Sequence, residues 1–293
     1  MNITIIGFGE AGPVFGKQFL DNGATVTAWD KLQLDSTTAD QQIVKTQSLG
    51  IRAATSMHDA VSSAELIVST VTASQAPVAA QQAADALKNG CHWLDLNSVS
   101  PATKRLVHDS VAHQGVLFTE GVAMDTVPSK GAQVPLIFCG PESVSLSQTL
   151  NTFGLNTRSV STELGAASTT KLLRSILIKG MEALFAESME AAGKVKMQDE
   201  VLASLQATYP GLDWHEVAGY QLYRASLHAE RRASEMREAE KLVKELGVES
   251  LMTSAIVERQ QNLSDRNIGS AYPSDPALSV SEFVNAVAQS ESR

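Results

Sequence analysis

Only two cysteines occur in 293 residues, and both fall in or beside β-rich runs. Cys91 and Cys139 therefore read as buried, reduced thiols rather than as a disulfide or half of a zinc set. The six histidines, His58, His92, His108, His113, His215 and His228, include no H-x-x-x-H or H-E-x-x-H arrangement, so no metal site is expected. Positive charge is in deficit: 23 Lys and Arg against 32 Asp and Glu leave a net charge of -9, which disfavours nucleic acid and anionic membrane as partners. No stretch approaches the ~18 uninterrupted apolar residues of a spanning helix. Met1-Asn2 leads straight into the first apolar run, with no room for a secretory leader, so the expected compartment is the cytoplasm. Neither a G-x-S-x-G elbow nor a Walker loop is present, which disfavours serine hydrolysis and phosphoryl transfer.

What is present is an ordinary globular composition, 43% hydrophobic and 19% charged, at a length that suggests two domains. The organising stretch is Gly7-Phe8-Gly9-Glu10-Ala11-Gly12, which follows the apolar run Ile3 to Ile6 and opens a segment of helical spacing. Glycines at 7, 9 and 12 meet three needs of a dinucleotide fingerprint: a turn with free φ, a backbone close to a pyrophosphate, and tight helix-on-strand packing. The phosphates would sit on the first N–H groups of the helix. Val14, Phe15 and Phe19 give that helix its apolar face, Asn22-Gly23 ends it, and Ala24 to Trp29 reads as a second strand. Asp30 then stands where a carboxylate accepts the adenosine ribose hydroxyls, with Lys31 beside it.

Further strands are expected at Leu66–Val71, Cys91–Leu96, Val116–Thr119, Val134–Cys139 and Thr157–Val160. Helices are expected near Ser74–Leu87, Pro101–His113 and Glu142–Leu150. This alternation predicts an α/β fold, a doubly wound and largely parallel sheet of the Rossmann kind, with ligands outside the carboxyl ends of its strands. Two of those ends are rich in small hydroxyl residues: Thr70-Val71-Thr72-Ala73-Ser74 and Asp95-Leu96-Asn97-Ser98-Val99-Ser100-Pro101. Val71, Thr72, Asn97 and Ser98 are the candidates there for the nicotinamide side, while Ser100 before Pro101 reads as an N-cap. Near Gly165 the texture turns helical to the end of the chain, which places an N-terminal domain at 1–164 and an all-helical domain at 165–293. Its first helix, about Ala167 to Lys194, carries Leu173, Ile176, Leu177, Gly180, Met181, Leu184 and Phe185 at helical spacing, read as a core stripe. A second helical region follows Asp213, in which His228, Arg231 or Arg232, and Glu235 lie on nearby faces by i+3, i+4 and i+7 spacing; Leu246-Gly247 reads as a stop. Beyond Ser264 a polar, proline-containing stretch precedes one last short helix.

These residues resemble the 6-phosphogluconate dehydrogenase-like, or β-hydroxyacid dehydrogenase, superfamily over nearly the whole chain. The likeness rests on Gly7 to Gly12 with Asp30, on the serine loop Asp95 to Pro101, and on Gly165-Ala-Ala-Ser-Thr-Thr-Lys171 opening a long interdomain helix. It is closest to a less-characterised branch with its own C-terminal domain, through Val122-Ala-Met-Asp-Thr-Val-Pro128 and His228 to Met236. The resemblance implies that Lys171 is the catalytic acid/base. It also implies a homodimer built on the helical domain. Two departures bear on the substrate: Met124-Asp125-Thr126 replaces the family's Ser-Gly-Gly turn, and Arg174 replaces an asparagine three residues after the lysine. Ser98, Met124, Asp125, Arg174, Ser175, His228 and Arg231 are thus the candidate substrate-binding set.

The chemistry fits the residue types. Hydride transfer belongs to the nicotinamide, and the chain must move one hydroxyl proton. Lys171 lies early in a helix and three residues before Arg174, and both features disfavour its ammonium relative to the ordinary value of about 10.4. The expected function is an oxidoreductase passing a hydride between NAD, with NADP as the alternative, and a small anionic β-hydroxy acid or related alcohol. Two other readings stay open: an imine reductase on the same fold, and a dinucleotide-binding sensor without catalysis.

Overall fold

The computed structural model describes residues 1–112, 115–271 and 279–291, and divides into two compact units, Met1–Lys171 and Leu172–Arg293. Among the described residues, the first unit is built on an eight-stranded sheet of β1 (Asn2–Ile6), β2 (Thr25–Trp29), β3 (Arg52–Ala53), β4 (Leu66–Ser69), β5 (His92–Asp95), β6 (Leu117–Ala123), β7 (Pro135–Cys139) and β8 (Asn156–Ser161). The order across it is β3-β2-β1-β4-β5-β6-β7-β8, parallel throughout except for the antiparallel pair β6 and β7. The chain reverses direction across the sheet between β1 and β4, the switch point at which such sheets bind ligands. Both faces are covered. Ile6, Ile67 and Trp93 pack into one core, while their neighbours Ile5, Val68 and Leu94 pack into the other, the period-two pattern of strands buried on both sides.

The helices of this unit are α1 (Ala11–Asp21), α2 (Ala39–Ser48), α3 (Met57–Val61), α4 (Ala76–Ala83), α5 (Pro101–Val111), α6 (Val127–Lys130) and α7 (Ser143–Thr152). The helix expected over Ser74–Leu87 is in three pieces, with 3-10 turns at Ala73–Gln75 and Ala84–Ala86 flanking α4. Pro77 explains the first break, since it is accommodated only in the opening turn of a helix. β6 runs beyond its expected end at Thr119 to Ala123, and α2, β3, α3 and α6 lie where no element was expected. His113, placed at the end of α5 by the spacing, lies outside the described residues.

α8 (Ala166–Lys194) is 29 residues long, so the change of texture at Gly165 marks its start, while the division between the units falls inside it. The second unit continues with α9 (Gln198–Thr208), α10 (Trp214–Leu227), α11 (Ala229–Glu245), α12 (Leu251–Asp265) and α13 (Val280–Glu291). Asp213 caps α10 by accepting from the amides of His215 and Glu216 at 3.0 and 3.1 Å. The core of the unit gathers Met189, Leu202, Leu222, Leu263 and Phe283. The stripe expected on α8 divides in two. Leu172 and Ile176 pack against Met236, Ala239 and Ile256, whereas Leu173, Leu177, Met181 and Leu184 are exposed, Leu177 by 71%. The proline-containing stretch expected after Ser264 falls largely on 272–278, outside the described residues. Among the described residues no helix is long and apolar enough to cross a membrane.

Candidate dinucleotide and acid/base site

The three glycines between β1 and α1 do three different jobs. Gly7 sits at φ +90, and a Cβ there would lie 2.7 Å from the Thr70 carbonyl oxygen at the end of β4. A Cβ on Gly12 would lie 2.2 Å from the Gly7 carbonyl oxygen, so only glycine lets α1 close onto the turn. Gly9 is open, with no atom within 4 Å of its Cβ position, and is the place where a ligand can approach the backbone. Glu10, the N-cap of α1, makes no side-chain bond to the first turn, which leaves the opening amides at Ala11 and Gly12 to an anion.

Four side chains hold this turn. Asp30, buried at the end of β2, accepts from the Phe8 amide at 2.6 Å and from the Leu32 amide at 2.9 Å. Thr70 donates its hydroxyl to the Gly7 carbonyl at 2.8 Å. From α2, Lys45 donates to the Phe8 and Gly9 carbonyls at 2.9 and 2.8 Å, and Gln42 donates to the Phe8 carbonyl at 3.2 Å. The Phe8 ring itself is fully buried in the core, so this residue serves the turn through its backbone alone. Val71 is half-buried against Gly7, while Thr72 and Lys31 are exposed.

The second group lies at the carboxyl end of β5. Asp95 and Lys104 form a fully buried ion pair, and the ammonium also donates to the carbonyls of Asp95 and Gly121 at 2.8 and 3.0 Å. The Asp95 carboxylate accepts from the Asn97 amide at 3.1 Å and from its side-chain Nδ2 at 2.9 Å; that Nδ2 also donates to Ser69 Oγ at 2.9 Å. These bonds fix the loop that carries Ser98. Asn97 Oδ1 is buried and without a hydrogen-bond partner among the described residues. Ser98 Oγ accepts from Lys171 Nζ at 2.6 Å.

Lys171 is aimed from a third group. Glu120, fully buried in β6, accepts from the amides of Gly165 and Ser168 at 2.5 and 2.6 Å and so closes the first turn of α8. Cys139 Sγ accepts from the Ala167 amide at 3.3 Å beside it.

The residues proposed for the substrate come from several elements of the chain. The Met124 side chain packs against the cluster of Val122, Ile137 and Ala167, and Asp125 is exposed, turned back on the amide of Thr126 at 2.7 Å. Arg174 and Ser175 follow Lys171 on α8, the first exposed and the second buried. His228 is the N-cap of α11, its carbonyl accepting from the Arg232 amide at 2.9 Å, so Arg231, Arg232 and Glu235 follow it at helical spacing. Arg231 is exposed and bonds Glu235 at 2.9 Å, while Arg232 turns inward to the buried Glu182 at 2.6 Å. Burial and the flanking Arg232, Arg231 and Arg224 lower the His228 pKa, favouring a neutral ring.

Lys45, Lys104 and Glu120 were not expected at the site. Lys104 was detectable as a charge in line with the apolar positions Val107 and Val111, and Glu120 as a lone charge within an apolar strand. Nothing local marks Lys45.

Residues 2–141 match the family described as the NAD binding domain of 6-phosphogluconate dehydrogenase, and residues 192–263 match a domain of unknown function, DUF1932. A conserved hypothetical protein from Sinorhizobium meliloti is 32% identical, with 99% of this chain and 96% of that one covered and a TM-score of 0.82. A conserved protein of unknown function, whose structure was described as similar to 3-hydroxyacid dehydrogenases, is 28% identical over 90% of this chain and 97% of that one, with a TM-score of 0.77. A Mycobacterium tuberculosis 3-hydroxyisobutyrate dehydrogenase shares the fold, with a TM-score of 0.76 at 15% identity over 98% of each chain. The glycine turn, Asp30 and the opening of α1 all fall within the residues that match this NAD-binding domain family. The chain belongs to the 6-phosphogluconate dehydrogenase-like superfamily, in the branch that carries this C-terminal domain of unknown function.

Proposed function

We propose that the protein is an oxidoreductase that passes a hydride between NAD and a small anionic β-hydroxy acid or related alcohol. The observation that carries this reading is the 2.6 Å bond from Lys171 to Ser98, which joins a lysine to the serine loop at the carboxyl end of β5. A nicotinamide dinucleotide held at the glycine turn would supply the hydride chemistry at the carbinol carbon. Lys171, as the free amine, takes the hydroxyl proton as the carbonyl forms, and returns it in the reverse direction. Ser98 orients the amine by accepting one of its N–H bonds. Arg174, one turn further along α8, supplies a planar two-donor fork for the substrate's anionic group.

NAD is favoured over NADP because the Asp30 carboxylate would face the 2′-phosphate; like charges about 4 Å apart at an effective dielectric near 20 repel by roughly 4 kcal/mol. The exposed Leu173, Leu177, Met181 and Leu184 on α8 support a homodimer, since a lone helix rarely leaves such a stripe in water. The test is a panel of hydroxy acids and cyclic imines with each cofactor, followed at the reduced-nicotinamide absorbance. Oxidation of a β-hydroxy acid with NAD supports the reading; imine reduction alone would replace it with the reductase, and silence throughout with a sensor.

A further inference from the structure

The two partners of the Lys171–Ser98 bond hang on two adjacent strand positions. Asp95 and Glu120 are register partners on the parallel strands β5 and β6, and both are fully buried. Asp95 holds the serine loop through Asn97, and Glu120 holds the first turn of α8 through Gly165 and Ser168. Their charges are treated differently. Lys104 neutralises Asp95, whereas each Glu120 oxygen is given to a backbone amide. Both Glu120 oxygens thus accept from the amides that open α8.

We propose that Glu120 is the positioning residue for Lys171: its carboxylate caps α8, fixes the approach of the lysine to Ser98, and offsets the positive pole of the helix that otherwise drives the ammonium toward the free amine. This rests on Lys171 being the acid/base of the reaction. Without Glu120 the uncompensated helix end would release the proton too readily. With it, the lysine keeps enough basicity to take a proton from an alcohol. The other charged and titratable groups around this turn are few. The Cys139 thiol from β7 stays neutral, because burial and the neighbouring Glu120 push it up to about 11. The Arg105 guanidinium from α5 lies 3.5 Å from the Cβ position of Gly165. Glu163 precedes the helix, and Arg174 follows on α8 itself. Of these, Glu120 has its charge placed directly on the amides of α8.

The test is a titration of Lys171 by NMR on protein whose lysines carry ¹³C-methyl groups, the signal being assigned by its loss in Lys171→Arg. Glu120→Gln should lower the Lys171 midpoint by about one pH unit, the size of a helix-end effect in a partly buried site. Glu120→Asp keeps the charge and should leave the midpoint near that of the parent while kcat falls, since the shorter arm spans one amide rather than two. An unchanged midpoint in Glu120→Gln, or an equal fall in Glu120→Asp, overturns the proposal. Should the glutamine variant not fold, the parent protein still decides: the amide protons of Gly165 and Ser168 should titrate with the Lys171 midpoint, and indifference to it would overturn the proposal. The titration needs no turnover, so its failure is read separately from a failure of the substrate panel.

Discussion

Carboxylates serve different purposes in the two units. In the first, Asp30, Asp95 and Glu120 accept from backbone amides and thereby set the shape of loops and a helix start. In the second, three carboxylates lie between two cationic side chains apiece: Glu182 between Arg232 and Arg224, Glu235 between Lys179 and Arg231, and Glu190 between Arg259 and Arg266. A backbone amide cannot move without moving the chain, so the first kind of bond fixes geometry. A side-chain pair joins two helices and fixes packing. The sheet unit is therefore where geometry relevant to chemistry is defined, whereas in the helical unit these ion pairs tie helices that already share an apolar core.

Substitutions should separate these purposes, beginning with the largest effect. Lys171→Ala should lower turnover by a factor of about 10²–10⁴ while the cofactor binds nearly as before, because Asp30, Thr70 and Lys45 hold the glycine turn independently. Steady-state kinetics with a parallel cofactor titration checks both halves. Glu182→Ala should act on stability instead, at about 3–5 kcal/mol, since it strands Arg232 in a buried place. Denaturant unfolding reads that loss, and a cost under 1 kcal/mol would remove the contrast between the units.

A smaller effect is expected at Arg174. Arg174→Ala should raise KM for an anionic substrate, and much less for its neutral amide, by the roughly 1.5–3 kcal/mol of a charge-assisted bond. Equal losses for both substrates would make the arginine structural. The smallest effect is in acid. Burial works against ionisation of Glu235, but Lys179 and Arg231 outweigh it and hold the carboxyl at about 2, below the ordinary 4.5. Because the folded value is depressed, the pair's contribution is fully present above pH 4.5 and is lost as pH falls toward 2. Thermal melts of Glu235→Gln should show a shallower decline than the parent over that window.

The fold was largely legible because its signals are local. The run Ile3 to Ile6, the glycines at 7, 9 and 12 and the apolar face of α1 lie within one short segment, and propensity and spacing there agree. The parts that escaped are joined across long sequence separations: Lys45 reaches Phe8 from 37 residues away, and Glu120 reaches Ser168 across 48. β3 has two residues and no periodicity to detect, and owes its existence to pairing with β2. The divided face of α8 was illegible for another reason. Leu173, Leu177, Met181 and Leu184 keep the same helical spacing whether they face a core or water, and only the packing of α11 and α12 on the other face tells which.

The most direct measurement of hydride transfer uses a β-hydroxy acid carrying deuterium at its carbinol carbon, with the cofactor recovered after reaction and examined by mass spectrometry. One deuterium on the reduced nicotinamide, and a rate slowed by the label, is the predicted result. Reduced nicotinamide without deuterium, or no reduction across the panel, would contradict direct hydride transfer by this chain.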